Sequence, residues 1–138
     1  MWPVDTLWAM PFKTIVMFKE NREDIEQLIL NYFEGIFEGD GEKLEKCFHE
    51  NTFLYGDIKG EDYLKSKSAY IEGVMNRQSP KSLGEECRMG IIGIDILGKV
   101  AMVKLHVPFS GYNYYDYLSL AKIAGEWKIV NKVFTHID

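Results

Sequence analysis

The segment that most constrains this chain is its closing stretch, Asp116–Phe134, which reads as two strands joined by a tight turn at Ala124-Gly125. A two-residue turn places Ile123 opposite Glu126 and sets the pairing back along both strands. One face then carries Lys122 and Trp127 near the turn. Farther from the turn, the same face carries four aliphatic residues, Leu118, Leu120, Ile129 and Val133. The stretch therefore predicts an antiparallel sheet with one face turned towards a core.

Two polar residues, Asp116 and Asn131, fall on this same predicted inner face. A carboxylate among aliphatic side chains costs several kcal/mol unless it is partnered or hydrated. Asp116 is therefore the first candidate for a general base or a direct ligand contact. The alternative is a structural carboxylate bonded to Tyr32, Asn131 or a backbone amide. Asn131 could bind a carbonyl or enolate oxygen, but a role as partner of Asp116 is favoured.

The composition is that of one globular domain. A chain of 138 residues can bury roughly two-thirds of its unfolded surface, and 46% hydrophobic residues exclude disorder. A net charge of −5 without a basic stripe disfavours nucleic acid and anionic membranes as partners. Cys47 and Cys87 form no CxxC pair, so the sequence predicts reduced thiols, a cytoplasmic location and no cofactor.

Helical periodicity dominates the first half of the chain. Asn21 is a plausible cap for a first helix that ends at Gly39, and Asp40 for a second, shorter one. A third helix is predicted from about Ser66 to Arg77. The apolar face of the first helix contains Ile25, Leu28, Ile29, Tyr32, Phe33 and Ile36. Tyr70, Ile71, Val74 and Met75 are expected to face inwards from the third.

The second half has a period of two. Ile92, Ile94 and Ile96 alternate with small or polar residues before a turn at Gly98-Lys99. Residues 21–138 are therefore predicted as one α+β domain, with three helices packed on a bent, four-stranded antiparallel sheet. Residues 1–20 are read as an arm or extra strand, because Thr14–Phe18 has β propensity, or as an extension before a start at Met17.

Several segments resemble the "putative lumazine-binding" and SnoaL-like branch of the nuclear transport factor two-like superfamily. They are Phe37–Asp40, Cys47–Gly56, Asp116–Lys122 and Gly125–Phe134 with His136, within a likeness spanning Asp24 to His136. The resemblance implies a cystatin-like cone with a deep pocket between helices and sheet, and dimers formed through the other sheet face. The same architecture hosts isomerases, cyclases, dehydratases and association modules, so it does not choose a function.

The resemblance also suggests roles for particular residues. In the superfamily's isomerases and cyclases, an aspartate on the pocket face takes a proton next to a carbonyl, and Asp116 has a comparable place. A histidine paired with an aspartate can act as acid and base, and His49 is the candidate here, unless it only caps helix carbonyls. Tyr32, Tyr55 and Trp127, with Asn131, are the candidate ligand-binding residues.

The opposite face of the predicted sheet has the composition of a protein–protein surface. We expect a two-fold homodimer to form through it. The residues concerned are Tyr115, Tyr117, Lys132, Phe134, Met102 and His106. His106 and His136 have no carboxylate or cysteine at a suitable spacing, so no metal site is predicted.

Three hypotheses remain open from the sequence. The first is a homodimer that binds a small apolar or carbonyl-containing molecule in the cone and catalyses cofactor-free proton transfer through Asp116. The second is a non-catalytic association module whose pocket is filled by side chains. The third is a ligand carrier, with a cavity but no acid–base pair.

Overall fold

A computed structural model of the protein describes residues 12–138. Three helices precede or interrupt the strands: α1 (Phe12–Glu38), α2 (Gly41–Cys47) and α3 (Lys67–Asn76). The strands are β1 (Phe48–Ile58), β2 (Glu61–Ser66), β3 (Gly90–Leu97), β4 (Val100–Phe109), β5 (Tyr112–Ile123) and β6 (Glu126–His136). No helix in this described part is long and apolar enough to cross a membrane.

The six strands form one sheet in the order β2-β1-β6-β5-β4-β3. β1 runs parallel to β6, whereas the other neighbours are antiparallel. The α+β class and the three helices are thus confirmed, but the predicted four-stranded antiparallel sheet is wrong. β2 has no buried residue, so the alternation that marks a strand is missing from it. The parallel pairing of β1 joins segments far apart in sequence and leaves no local signal.

The first helix starts earlier than the sequence suggests. Its predicted apolar face is buried, but the helix extends back to Phe12, so Thr14–Phe18 is helical and the strand predicted there is wrong. No proline or glycine occurs between Phe12 and Glu34, and nothing therefore stops the helix from continuing. Residues 1–11 of the arm predicted for residues 1–20 lie outside the described residues.

Asn21, predicted as a helix cap, lies inside α1 and ties that helix to the β5–β6 turn. Its Oδ1 accepts hydrogen bonds from Lys122 Nζ at 3.2 Å and Trp127 Nε1 at 3.3 Å. The cap of α2 is confirmed, because Asp40 Oδ1 accepts from Lys43 N at 3.1 Å. α3 begins after Ser66 as predicted, but Met75 is 55% exposed rather than buried.

The core lies between the three helices and the concave face of the sheet. It contains most of the predicted inner residues of the helices, β4 and β5, and Ile94 and Ile96 of β3 are partly buried against it. The largest fully buried side chains are Tyr32, Ile25, Ile29, Ile36, Leu44, Leu54, Leu105, Leu118, Leu120, Ile129, Val74 and Val103.

A bulge in β6 changes which residues face this core. Ile123 pairs with Glu126 and Leu120 with Ile129, as predicted, but Ser119 pairs with Asn131. One extra residue in β6, Val130, therefore reverses the alternation beyond it.

Because of the bulge, the predicted face of the sheet is wrong for four residues of β6. Lys132 and Phe134, predicted on the outer face, are buried inside. Asn131 and Val133, predicted inside, face outwards because they pair with outward-facing residues of β5. Asp116 does project inwards and is 2% exposed. A second irregularity between Ile91 and Gly93 likewise leaves Ile92 exposed, against prediction.

Candidate functional site

A buried charged pair lies beyond the bulge, on the concave face. Asp116 projects from β5 and Lys132 from β6, with Lys132 Nζ 3.7 Å from Asp116 Oδ2. The same oxygen accepts a hydrogen bond of 2.6 Å from the hydroxyl of Tyr32 on α1. Both contacts engage the same oxygen of the carboxylate. The sheet and α1 therefore hold the carboxylate from two sides.

Three aromatic rings surround the Lys132 ammonium group. Nζ lies 4.6 Å from the ring centroid of Tyr70, 5.0 Å from that of Phe134 and 5.3 Å from that of Tyr32. It also donates a long hydrogen bond of 3.4 Å to the Tyr70 hydroxyl. Ring faces attract a cation, more strongly when it is shielded from water. The three rings and the Tyr70 hydroxyl therefore hold the Lys132 side chain in place at the cavity wall.

Asp116, Lys132 and Tyr70 line a cavity of about 50 Å³ between helices and sheet. That is room for roughly three or four water molecules, or for one end of a small ligand. Apart from Arg77, the remaining wall is apolar or aromatic: Ile36, Ile58, Tyr63, Val107, Phe109, Tyr114 and Phe134. Arg77 is exposed, so the cavity reaches the surface beside it.

One oxygen of Asp116 is available to this cavity. Both protein contacts of the carboxylate engage Oδ2. Oδ1 accepts no hydrogen bond from any residue between 12 and 138, yet no fully buried side-chain oxygen or nitrogen in that range lacks a partner. Because Asp116 lines the cavity and the described residues leave Oδ1 without a hydrogen bond, Oδ1 is the oxygen suited to accept a proton from a bound molecule.

The tyrosines around the cavity are hydrogen-bond donors at neutral pH. Burial raises the pKa of Tyr63 to about 12, and burial also raises the pKa of Tyr114. Burial and then the Asp116 carboxylate raise the pKa of Tyr32 well above its usual value. All three hydroxyls therefore keep their protons under ordinary conditions.

Of the predicted ligand-binding residues, the structure brings only Tyr32 to Asp116. Tyr55 is 46% exposed on the outer face. Trp127 is buried at the turn end, where it bonds Asn21. Asn131 Nδ2 donates to Phe53 O at 3.4 Å, away from the cavity. His49 Nδ1 accepts from Asn51 N at 3.3 Å, and His49 does not line the cavity. The structure thus forms no Asp116–His49 pair.

Sequence reasoning missed Lys132, Tyr70, Tyr63 and Arg77 as site residues. Simple alternation along β6 put Lys132 on the wrong face, and the others lie on elements distant in sequence. One signal was present. The neighbouring apolar pairs Ile129-Val130 and Val133-Phe134 are incompatible with strict alternation and mark the place where an extra residue enters the strand.

The outer face of the sheet carries an exposed apolar row. Leu64, Tyr55, Val133 and Tyr117 are consecutive cross-strand partners on four neighbouring strands, and each is about half exposed or more. Beside this row lie Met102 and the ring of Tyr115, which stacks on His106 at 4.7 Å. Within the described residues, no group of three histidine, cysteine or acidic side chains could hold a metal ion.

Residues 20–135 match the model of the family described as "Putative lumazine-binding". The chain belongs to this family. Its cone, helices and curved sheet are those of nuclear transport factor two-like proteins, and the predicted membership is confirmed.

Solved structures of nuclear transport factor two-like proteins share the fold at low identity. A nuclear transport factor two-like protein of unknown function from Silicibacter pomeroyi is 22% identical, with a TM-score of 0.80 over 87% of this chain and 98% of that one. One from Shewanella baltica is 21% identical, with a TM-score of 0.79 over 88% and 97%.

A curated relative also matches by sequence. It is "Aldolase FrzH" from a Cladobotryum species, 27% identical over 105 residues, which are 75% of this chain and 81% of that protein.

Proposed function

We propose that this protein binds a small carbonyl compound in the cone and catalyses proton transfer at the carbon next to the carbonyl group. Asp116 is the base in this proposal. The observation that carries it is the open Oδ1, because the other oxygen is occupied by Tyr32 and Lys132. A carboxylate with one oxygen anchored and one facing a mostly apolar cavity is oriented to take a proton from carbon.

Lys132 and Tyr70 stabilise the negative charge that the proton transfer creates on the ligand. Removal of a proton next to a carbonyl places negative charge on the carbonyl oxygen. The ammonium of Lys132 and the hydroxyl of Tyr70 lie 3.4 Å apart and line the cavity, so they can donate to one developing oxyanion. Donors that are held in place before the reaction stabilise such charge strongly. Tyr32 is a positioning residue, since it reaches the ligand only through Asp116.

The sequence relative supports this class of reaction. That protein is an aldolase by name, and aldol chemistry proceeds through an enolate or enamine of a carbonyl compound. Isomerases, cyclases and dehydratases can begin with the same proton removal. We therefore propose carbon-acid chemistry as the shared step, with the aldol type as one form of it.

Hydrogen–deuterium exchange tests the proposal without knowledge of the natural substrate. Small ketones such as pentanone, levulinate and methyl levulinate are incubated in D₂O with the protein, and loss of the proton signals next to the carbonyl is followed by NMR. We expect the wild type to accelerate exchange of at least one ketone, and Asp116→Asn to lower that rate by about a hundredfold or more.

Asp95→Asn is the matched control, because Asp95 is exposed on the same sheet. This variant should exchange like the wild type. Circular dichroism checks that Asp116→Asn and Asp95→Asn are both folded. If folded Asp116→Asn then exchanged as fast as the wild type, Asp116 would not be the base. A wild type no faster than buffer would refute catalysis of this kind.

A second candidate function is association through the outer face, as a homodimer. The exposed row of Leu64, Tyr55, Val133 and Tyr117 supports it, because contiguous apolar side chains on a surface typically mark an interface. Light scattering should then give a mass of about twice 16.0 kDa. A monomer at micromolar concentration would refute this candidate.

A further inference from the structure

Arg77 stands where the cavity reaches the surface and has no role in the chemistry proposed above. It follows α3 directly, and its guanidinium group lies 4.8 Å from the ring centroid of Phe109, which is itself part of the cavity wall. An arginine stacked on an aromatic wall keeps its fork of N–H donors available at the edges. Its position is thus held by the cavity wall itself.

Arg77 differs from the other arginines in its surroundings among residues 12–138. The two other arginines contact glutamates, Arg22 with Glu26 and Arg88 with Glu86. No acidic side chain among residues 12–138 lies within ion-pair distance of Arg77. Within this part of the chain, no carboxylate competes with an anionic ligand for its positive charge.

The field of Arg77 reaches the cavity. Burial raises the pKa of Tyr63 and of Tyr114, and the positive charge of Arg77 partly offsets both rises. Tyr63 lies on β2 and Tyr114 on β5, so the guanidinium group acts on two opposite parts of the wall. The arginine is close enough to the cavity contents to act on a ligand there.

The cavity as a whole carries one unit of excess positive charge. Lys132 and Arg77 are its cations and Asp116 its anion, with the rest of the lining uncharged. This contrasts with the net charge of −5 of the chain. A mostly apolar cavity with a single excess positive charge favours a ligand with a single negative charge. A guanidinium group fits the two oxygens of a carboxylate.

We propose that the ligand is a small oxo acid, a molecule with both a carboxylate and a ketone or aldehyde group. Its carboxylate pairs with Arg77 at the mouth, and its carbonyl group points to Lys132 and Tyr70. A cavity of about 50 Å³ admits only the carbonyl end, which leaves the acid end at the surface beside Arg77. This inference rests on the proposed function and adds the substrate class.

Levulinate and its methyl ester test the inference, because the two molecules share the ketone and differ in charge. Chemical-shift titration with each probe gives the affinity. We expect levulinate to bind the wild-type protein about tenfold more tightly than the ester. Arg77→Gln should remove that preference by weakening levulinate alone, and Arg77→Lys should keep part of it.

Arg88→Gln is the matched control, since Arg88 is an exposed arginine that already contacts Glu86. It should leave the preference unchanged. Equal binding of the two probes by the wild type, an unchanged preference in Arg77→Gln, or no levulinate binding at millimolar concentration would each overturn the inference. The carbon-acid proposal is judged separately, by the loss of exchange in Asp116→Asn with a neutral ketone.

Discussion

The two faces of the β5–β6 hairpin invert the usual distribution of residues. On the inner face, Asp116 and Lys132 are buried charges at 2% and 5% exposure. On the outer face, their chain neighbours Tyr117 and Val133 are apolar and about half exposed. Folding alone favours the opposite arrangement, because buried charges cost free energy and exposed apolar groups gain none. Each inversion therefore points to binding, one of a small molecule and one of another protein surface.

The largest expected effect is on the inner face, from the removal of one charge of the buried pair. Lys132→Met leaves the Asp116 carboxylate without its cation and should lower the free energy of unfolding by about 3–5 kcal/mol. The double variant Asp116→Leu/Lys132→Met should regain most of that stability. Urea denaturation followed by circular dichroism measures both. If the double variant lost as much unfolding free energy as the two separate substitutions together, the two charges would not interact.

The two cysteines allow a buried thiol to be compared with an exposed one through the pH dependence of the free energy of unfolding. Burial raises the pKa of the Cys47 thiol from 9.0 to about 11, whereas Cys87 is exposed. Between these values the unfolded thiol has lost its proton and the native one has not. The native state then binds more protons, and stability falls as pH rises, by roughly 3 kcal/mol in total.

Denaturation at pH 8 to 11 checks this prediction. Cys47→Ala should show a shallower decline than the wild type, while Cys87→Ser should not differ from it. The buried tyrosines contribute to the decline in all three proteins and cancel in the comparison. Identical slopes in Cys47→Ala and the wild type would contradict a buried, protonated thiol.

A close approach inside the cone gives the third prediction. A Cβ added at Gly56 on β1 would overlap the ring of Phe134, which is part of the wall around Lys132. Gly56→Ala should therefore cost about 1–3 kcal/mol, as measured by thermal denaturation. Gly93→Ala is the control in the same sheet, because a Cβ there meets nothing within 4 Å. Equal losses of stability at the two positions would show that the Phe134 ring can move to make room for the added Cβ.

The smallest effect on folding is expected on the outer face. Val133→Lys, next to Lys132 in sequence, should change the unfolding free energy of the monomer by no more than about 0.5 kcal/mol. The same change should weaken the proposed homodimer by about tenfold or more, as a charge enters the apolar row. Sedimentation across a concentration series measures it. A large loss of monomer stability would show that Val133 is part of the core after all.

The success of sequence reasoning differed between the two strands of the hairpin. Along β5, alternation from the turn placed Asp116 inside correctly, and the apolar face of α1 was confirmed for the same reason, since local periodicity sets both. Along β6 the rule held as far as Ile129 and failed from Asn131 onwards. A bulge depends on pairing with strands on both sides, and one partner of β6 is β1, about 80 residues earlier in the chain. That information is not local.

The bulge affected the prediction of the site more than the prediction of the fold. Helix number and fold class survive a reversed alternation, whereas the choice of Lys132 or Asn131 as the partner of Asp116 does not. Tyr70, Tyr63 and Arg77 belong to α3, β2 and the segment after α3, and only the closure of the cone brings them to the same cavity. Their types are ordinary for core and surface positions, so no pattern marked them.

The extra residue in β6 has an evolutionary consequence. If Val130 took the regular place opposite Ser119 instead of forming the bulge, the register beyond it would shift by one residue. Asn131 and Val133 would then replace Lys132 and Phe134 at the wall of the cone, without a single substitution. Loss of the bulge with Val130 retained would therefore change the chemistry of the cavity in one step. Relatives of this fold are best compared by strand geometry before their polar residues are aligned.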